Sequence, residues 1–318
     1  MSASVQQAPL QPAVPPSQLA VAYSVCRTIT RRSAKNFYYA FLVLPRRKRS
    51  ALCAVYAFMR RCDDIADEPG ISLRDRRLKL ADWLDAMHRV VTGEQTDDPV
   101  LLALSDAHRR FKIPVELLDQ LAFGTAMDLQ ESTTPVDGTR GLAANELTAR
   151  YKTFDDLYQY CYRVASVVGL VCIRVFGYRS PEAEPLAERC GLAFQLTNII
   201  RDVREDAAMN RVYLPDEDLA KFGLSATELR GNPQVARFRP LLAMEADRAR
   251  EYYRSADELI PLIDHDSQPA LWVLTTIYRQ LLEKIAVREY EVFGEKVSLT
   301  TREKLKVLLK GFLKRLAG

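Results

Sequence analysis

No HExxH motif, no CxxC pair and no GxGxxG turn occurs in this sequence. The first absence leaves His88, His108 and His265 scattered, with no pattern that would bind a catalytic zinc. The second leaves six cysteines that mostly sit inside apolar helical patterns, where a thiol behaves as a small hydrophobe, as expected in a reducing cytoplasm. The third removes the nicotinamide-binding fingerprint. No run of 18 apolar residues is present, and the N-terminus lacks the charged and apolar regions of a signal peptide. The chain is therefore expected to stay in the cytoplasm. Period-two alternation is also missing, which argues against a sheet. A net charge of +4 falls well short of the basic stripe of a nucleic-acid binder, so no nucleic-acid partner is expected.

What is present is ordinary globular material, with 48% hydrophobic and 27% charged residues over 318 positions. Residues 1–17 carry four prolines and few large apolar groups, so they read as a disordered tail. From Gln18 onward the apolar spacing is helical, and no linker interrupts it. A single all-α domain over 18–318 is the reading. Helices are predicted from Pro45 to about Glu68, over 72–93, 98–111 and 114–131, and from a Thr153/Asp156 capping box to Phe176. Further helices are predicted from Pro181 to before Pro215, and over 234–261, 268–293 and 299–316.

Two of these helices end in acids. "MRRCDDIADEPG" places Asp63, Asp64, Asp67 and Glu68 at a helix C-terminus, where the macrodipole disfavours each by roughly 0.3–1 kcal/mol at an exposed site. Asp63 and Asp67 lie four residues apart on one face, with Tyr56 and Arg60 on the same stripe. "NIIRDVREDAAMNRVYLP" repeats the arrangement with Asn198, Asp202 and Asp206. Like charges at this spacing repel, so a cation is called for. Oxygen-only ligands suit Mg²⁺, which keeps several waters and bridges to substrate phosphates. Arg60, Arg201 and Arg211 suit the remaining phosphate oxygens. Periodicity alone leaves this diphosphate and metal site beside the plainer reading of two solvated acidic faces.

"DDIAD" at 63–67, "YCYRVASVVG" at 160–169 and above all "FQLTNIIRDVREDAAMNRVYLP" at 194–215 resemble the squalene and phytoene synthases, which join two prenyl diphosphates head to head. The likeness extends from about Tyr23 to Tyr290. It implies an isoprenoid synthase fold with helices around a central apolar cavity, and Mg²⁺ (or Mn²⁺) held by Asp63 and Asp67 on one side and Asn198, Asp202 and Asp206 on the other. It assigns Arg60, Arg201, Arg211 and Tyr213 to the diphosphates, and Ser33 and Tyr56 to the first substrate. Tyr160 matches a tyrosine of the cyclopropane step, and Tyr278 matches a distal tyrosine. Head-to-tail synthases carry a second DDxxD and cyclases an Asn, Ser, Glu triad, whereas this chain has NxxxDxxxD followed by "RVYLP".

The wording "YCYRVASVVGLVCIRVFG" leans toward enzymes of squalene and hopanoid pathways that convert two farnesyl diphosphates to presqualene diphosphate. Phytoene synthesis from geranylgeranyl diphosphate is the alternative. NADPH use stays open, because family members that use it lack a Rossmann domain. Phe37, Phe41, Val164, Val168, Leu192 and Phe194 are expected either in the cavity wall or in the core. "RRKR" at 46–49 reads as a solvated face. "TREKLKVLLKGFLKRLAG" forms a basic amphipathic helix, expected to dock its leucine side on the core, with peripheral contact at the inner membrane face as the other use. A non-catalytic lipid-binding or assembly protein is the rival of another class, and association with neighbouring isoprenoid enzymes is a further expected partnership.

Overall fold

A computed structural model describes residues 15–34, 37–131, 147–231 and 233–317. Residues 1–14, most of the expected tail, lie outside the described residues, and the first helix begins at Pro16 rather than Gln18. The order is α1 (Pro16–Ser33), α2 (Phe37–Leu42), α3 (Arg46–Ala66), α4 (Leu73–Val91), α5 (Pro99–Phe111) and α6 (Val115–Glu131). Then come α7 (Phe154–Cys161), α8 (Val167–Phe176), α9 (Ala183–Ala208), α10 (Asp216–Lys221), α11 (Val235–Leu259), α12 (Gln268–Val287) and α13 (Thr301–Ala317). The described residues form no strand, only a lone antiparallel bridge between Tyr178 and Ile263.

Local chemistry sets the helix limits. Ser72 caps the Asp75 N–H, Asp98 caps Val100 and Leu101, and Thr153 with Asp156 closes the capping box at both ends. Gly177 ends α8 at φ 76°, and a Cβ there would meet the Asp264 carboxylate at 2.1 Å. Between α7 and α8 the helix loosens into a π turn over Tyr162–Ser166, so the two read as the one long helix expected from the sequence. This turn lies directly on α9: a Cβ at Gly191 would sit 2.7 Å from both the Ala165 carbonyl oxygen and the Ser166 Cα. Ser166 Oγ donates to the Glu188 carbonyl at 2.7 Å across the same contact.

Helix α9 runs through the centre, flanked by α8 and α11, with α3, α2 and α12 completing a ring around a cavity. The stretch Phe154–Phe176 is long and apolar enough to cross a membrane by composition. Here its apolar side faces α6 and α9 and lines the cavity through Val164, Val168 and Cys172. All six cysteines are free thiols, five of them buried.

Two expectations change. Helix α12 stops at Val287 instead of 293, because Glu289 and Tyr290 take positive φ (54° and 61°) and turn the chain. The loop that follows buries Phe293 against Phe238 and crosses the C-terminal end of α9, where Arg204 donates to the Gly294 carbonyl at 2.6 Å. The "RRKR" segment is not simply a solvated face. Lys48 turns inward and donates to the Phe176 carbonyl (2.7 Å), Asp264 (3.1 Å), Asp266 (2.6 Å) and Ser267 (3.0 Å), tying α3 to the end of α8 and the start of α12.

Candidate active site

A cavity lies between α2, α3, α8, α9 and α12. Its wall is mostly apolar. Phe37, Phe41, Val164, Val168 and Phe194 line it as expected, whereas Leu192 points away and is buried in the core. Tyr278 packs its ring on Phe194 at 4.6 Å and meets Phe37 edge-on at 6.2 Å. Toward one end the wall becomes polar, at Tyr56 on α3 and at Gln195 and Asn198 on α9. One to two helical turns further along, these same helices carry the acids.

On α3, Arg60 pairs with Asp64 at 2.6 Å, and Lys79 with Glu68 at 2.8 Å. These two bridges answer two of the four helix-end acids. Asp63 is half-buried, and Asp67 caps the helix, its N–H donating to the Asp63 carbonyl at 2.8 Å. Burial raises the Tyr56 pKa, opposed by Arg60 and reinforced by Asp63 and Asp64, which places the phenol among these charges.

The α9 end is more tightly built. Arg201 embraces Asp202 with two hydrogen bonds, and Lys296 reaches the same carboxylate at 2.6 Å. Burial opposes the Asp202 charge, but these cations outweigh it and lower its pKa. Burial likewise opposes the Arg201 charge, and Asp202 more than restores it. Asp206 is in the opposite state: burial and the nearby Asp202 push it up to about 7, and Arg211 only partly offsets them. One oxygen of Glu205, beside both, is buried without a hydrogen-bond partner. Tyr278 lies within electrostatic reach of Tyr56 and Arg201, so it joins the two acidic ends across the cavity.

The remaining sequence-derived residues fall in two places. Arg211 and Tyr213 line a small cleft beside Asp206, and the Arg211 N–H donates to the Asp206 carbonyl at 2.8 Å. Tyr160 is buried and stacks on Tyr213 (5.1 Å) and Tyr151 (5.4 Å), and among the described residues it is not part of the cavity wall. Ser33 is not brought to the cavity wall either: it ends α1 with an exposed side chain. Lys296, Glu205 and Arg150, which donates to the Tyr213 hydroxyl at 3.3 Å, were not anticipated. Lys296 has no local signal, since it meets Asp202 only through the loop after α12.

The donor chemistry suits a hard cation. Asn198, Asp202 and Asp206 offer oxygen ligands, and one Glu205 oxygen is buried with no hydrogen-bond partner while the other reaches Lys296 only at 4.0 Å. Among the described residues no three His, Cys or carboxylate side chains converge into a complete cage. Mg²⁺ takes one or two carboxylates and completes its shell with water and phosphate, so it does not require such a cage.

Residues 30–303 match the family model described as squalene/phytoene synthase. The chain belongs to the squalene/phytoene synthase family. Its members are prenyltransferases of the head-to-head type, and this chain is one of them. It is 34% identical over 313 residues to the 15-cis-phytoene synthase of Synechococcus elongatus, covering 95% of this chain and 96% of that one. It is 36% identical over 300 residues to the phytoene synthase of Mycobacterium tuberculosis, covering 92% and 90%. Its fold is similar to that of a dehydrosqualene synthase in complex with ligand, with TM-score 0.80, 29% identity and coverage of 95% and 99%. A squalene synthase, HpnC, from Alicyclobacillus acidocaldarius follows with TM-score 0.74, 27% identity and coverage of 87% and 97%. The all-α isoprenoid synthase fold expected for this family is the one observed.

Proposed function

We propose that the protein condenses two geranylgeranyl diphosphates head to head into a phytoene-type hydrocarbon, through a cyclopropyl diphosphate. The observation that carries this reading is the apolar cavity running back from the acid-bearing end of α9. Along α9 its wall extends from Asn198 to Ala187, about 16 Å at 1.5 Å per residue. Small side chains, Ala165, Cys172, Ala187 and Cys190, keep its inner part wide. Relatives named phytoene synthase, aligned over nine-tenths of the chain or more, support this substrate over the farnesyl diphosphate expected from the sequence.

In this reading Arg60, Arg201 and Arg211 hold the diphosphate oxygens, with Tyr56, Tyr213 and Tyr278 as phenol donors beside them. Mg²⁺, when bound by Asn198, Asp202 and Asp206 and by Asp63 and Asp67 across the mouth, supplies charge neutralisation for the leaving diphosphate. The allylic C–O bond ionises, and the C1 cation of one chain is attacked by the double bond of the other. Phe37, Phe194 and Tyr278 present aromatic faces to that charge, and the apolar wall keeps water from quenching it. The released diphosphate accepts the proton lost when the cyclopropane closes. Tyr160, buried behind Tyr213, supports that phenol from outside the cavity wall. A second ionisation and proton loss end the reaction without a reductant.

Incubation of purified protein with Mg²⁺ and either diphosphate, with and without NADPH, tests this. Phytoene from the twenty-carbon substrate, independent of NADPH, is expected. Presqualene diphosphate or squalene made only from farnesyl diphosphate would replace it with the shorter-chain reading, which the likeness to dehydrosqualene and squalene synthase structures favours. Cys172→Phe, which fills the inner cavity, is expected to cut use of the longer substrate more than tenfold while sparing the shorter.

A further inference from the structure

Helix α13 does not dock the way its sequence suggests. Val307 and Leu308, 3% and 8% exposed, face the protein, and a Cβ on Gly311 would meet the Val273 side chain at 2.3 Å and that of Val43 at 3.5 Å. Arg315 donates to the Val43 carbonyl at 2.9 Å on this side. The leucine stripe is left outside: Leu305 is 49% exposed, Leu309 62%, Phe312 36%, Leu313 57% and Leu316 82%. Spacings of four, three, one and three put all five on one face, a strip about 16 Å long. Of Leu305, Leu308, Leu309, Phe312 and Leu316, the side whose spacing predicts docking on the core, only Leu308 is buried.

A third face, next to the stripe, is basic. Lys306 and Lys310 are exposed on it, Arg302 is exposed at the N-terminal end of the stripe itself, and none of the three has an ion-pair partner among the described residues. The helix holds six cations and one acid, and that acid, Glu303, is taken by Lys284 at 3.0 Å. Three residues beyond Val43 the positive surface continues, where Arg46 and Arg47 line a groove with Arg27 and Arg110. The helices beneath α13, α2 and α12, supply Phe37, Phe41, Leu271 and Leu274 to the cavity, so one helical layer separates cavity and stripe.

We propose that this face of α13 docks on an anionic lipid bilayer, the leucines entering the headgroup boundary and the flanking cations meeting lipid phosphates. Charge selects this occupant. A second copy of the chain packed symmetrically on the same stripe would bring two basic flanks together, and lysine is depleted at protein–protein interfaces. The proposal is independent of which prenyl diphosphate the cavity accepts.

Flotation of the full chain with vesicles of phosphatidylcholine alone, or with 30% phosphatidylglycerol (about one lipid in three), tests it. Binding to the anionic vesicles only, weakened by salt, is expected. Leu309→Ser with Leu313→Ser and Leu316→Ser should abolish it, and Lys306→Glu with Lys310→Glu should lower it on the order of tenfold or more. Because these side chains are exposed, both variants should melt at the wild-type temperature. Equal binding to both vesicle types, or retention by the leucine variant, overturns the proposal. So does a dimer in light scattering that the leucine variant splits while vesicle binding is absent.

Discussion

Two carboxylate clusters in this molecule, one buried and one half-buried, meet their charge in different ways. Between α10 and α11, Asp218 and Glu245 share one guanidinium: Arg248 donates to Asp218 at 2.8 Å and to Glu245 at 2.9 Å, and its Cζ lies 3.9 Å from the centre of the Phe154 ring. That cluster is closed, each acid hydrogen-bonded to the shared cation and the cation roofed by an aromatic ring. At the end of α9, Arg201 and Lys296 concentrate on Asp202, Glu205 meets Lys296 only at 4.0 Å, and Asp206 is left short of positive charge beside a cleft. Paired acids and an arginine therefore do not by themselves mark an active site. The mark is charge that the protein leaves for something else to neutralise.

Substitutions at each cluster separate the two roles. Asp206→Asn is expected to lower kcat/KM about 10²–10³-fold or more while leaving the melting curve close to wild type, since it removes a carboxylate that would hold the metal facing the leaving group and whose charge is only partly compensated within the protein. Full activity in that variant would place the α9 cluster with the structural one. Arg248→Met should do the reverse, costing about 3–5 kcal/mol of stability in urea unfolding because two buried carboxylates lose their partner, while turnover per folded molecule persists.

A pH effect follows for Glu245. Burial pushes it up to about 7, Arg248 opposing and Asp218 adding, from an ordinary value of 4.5. A raised pKa means the native state keeps a proton that the unfolded chain has released. The stabilisation from this group is therefore complete below about 4.5 and is lost as pH climbs through about 7. Glu245→Gln should flatten that part of a stability-against-pH curve, and an unchanged slope would assign the decline to other groups. The smallest effect is expected from Lys296→Met. It should cost at most about 1 kcal/mol, because the lysine is half exposed. It should also lower the Mg²⁺ concentration for half-maximal binding severalfold in calorimetry, since a competing cation leaves Asp202.

Much of this was legible in the residues. Asn198, Asp202 and Asp206 lie on one face because they are four apart, and the 3.6-residue period brings them together without help from the rest of the chain. Thr153, Ser72 and Asp98 announce helix starts because caps are local chemistry. Tyr278 was harder: its contact with Phe194, Tyr56 and Arg201 joins three helices. Lys296 was out of reach, since Glu289 and Tyr290 had to break α12 before it could cross onto α9.

By itself, then, the sequence determined the helical class, the helix starts and the two acidic faces, all of which depend on neighbours within about one or two turns. Tertiary structure alone decided which acids are sealed and which are left open. It also decided which side of α13 faces inward. The stripe of Leu305, Leu309, Phe312, Leu313 and Leu316 has the spacing of a core face, yet the helix docks on Val307, Leu308 and Gly311, where the small glycine lets Val273 and Val43 approach. Periodicity records that an apolar face exists, and only packing decides what covers it.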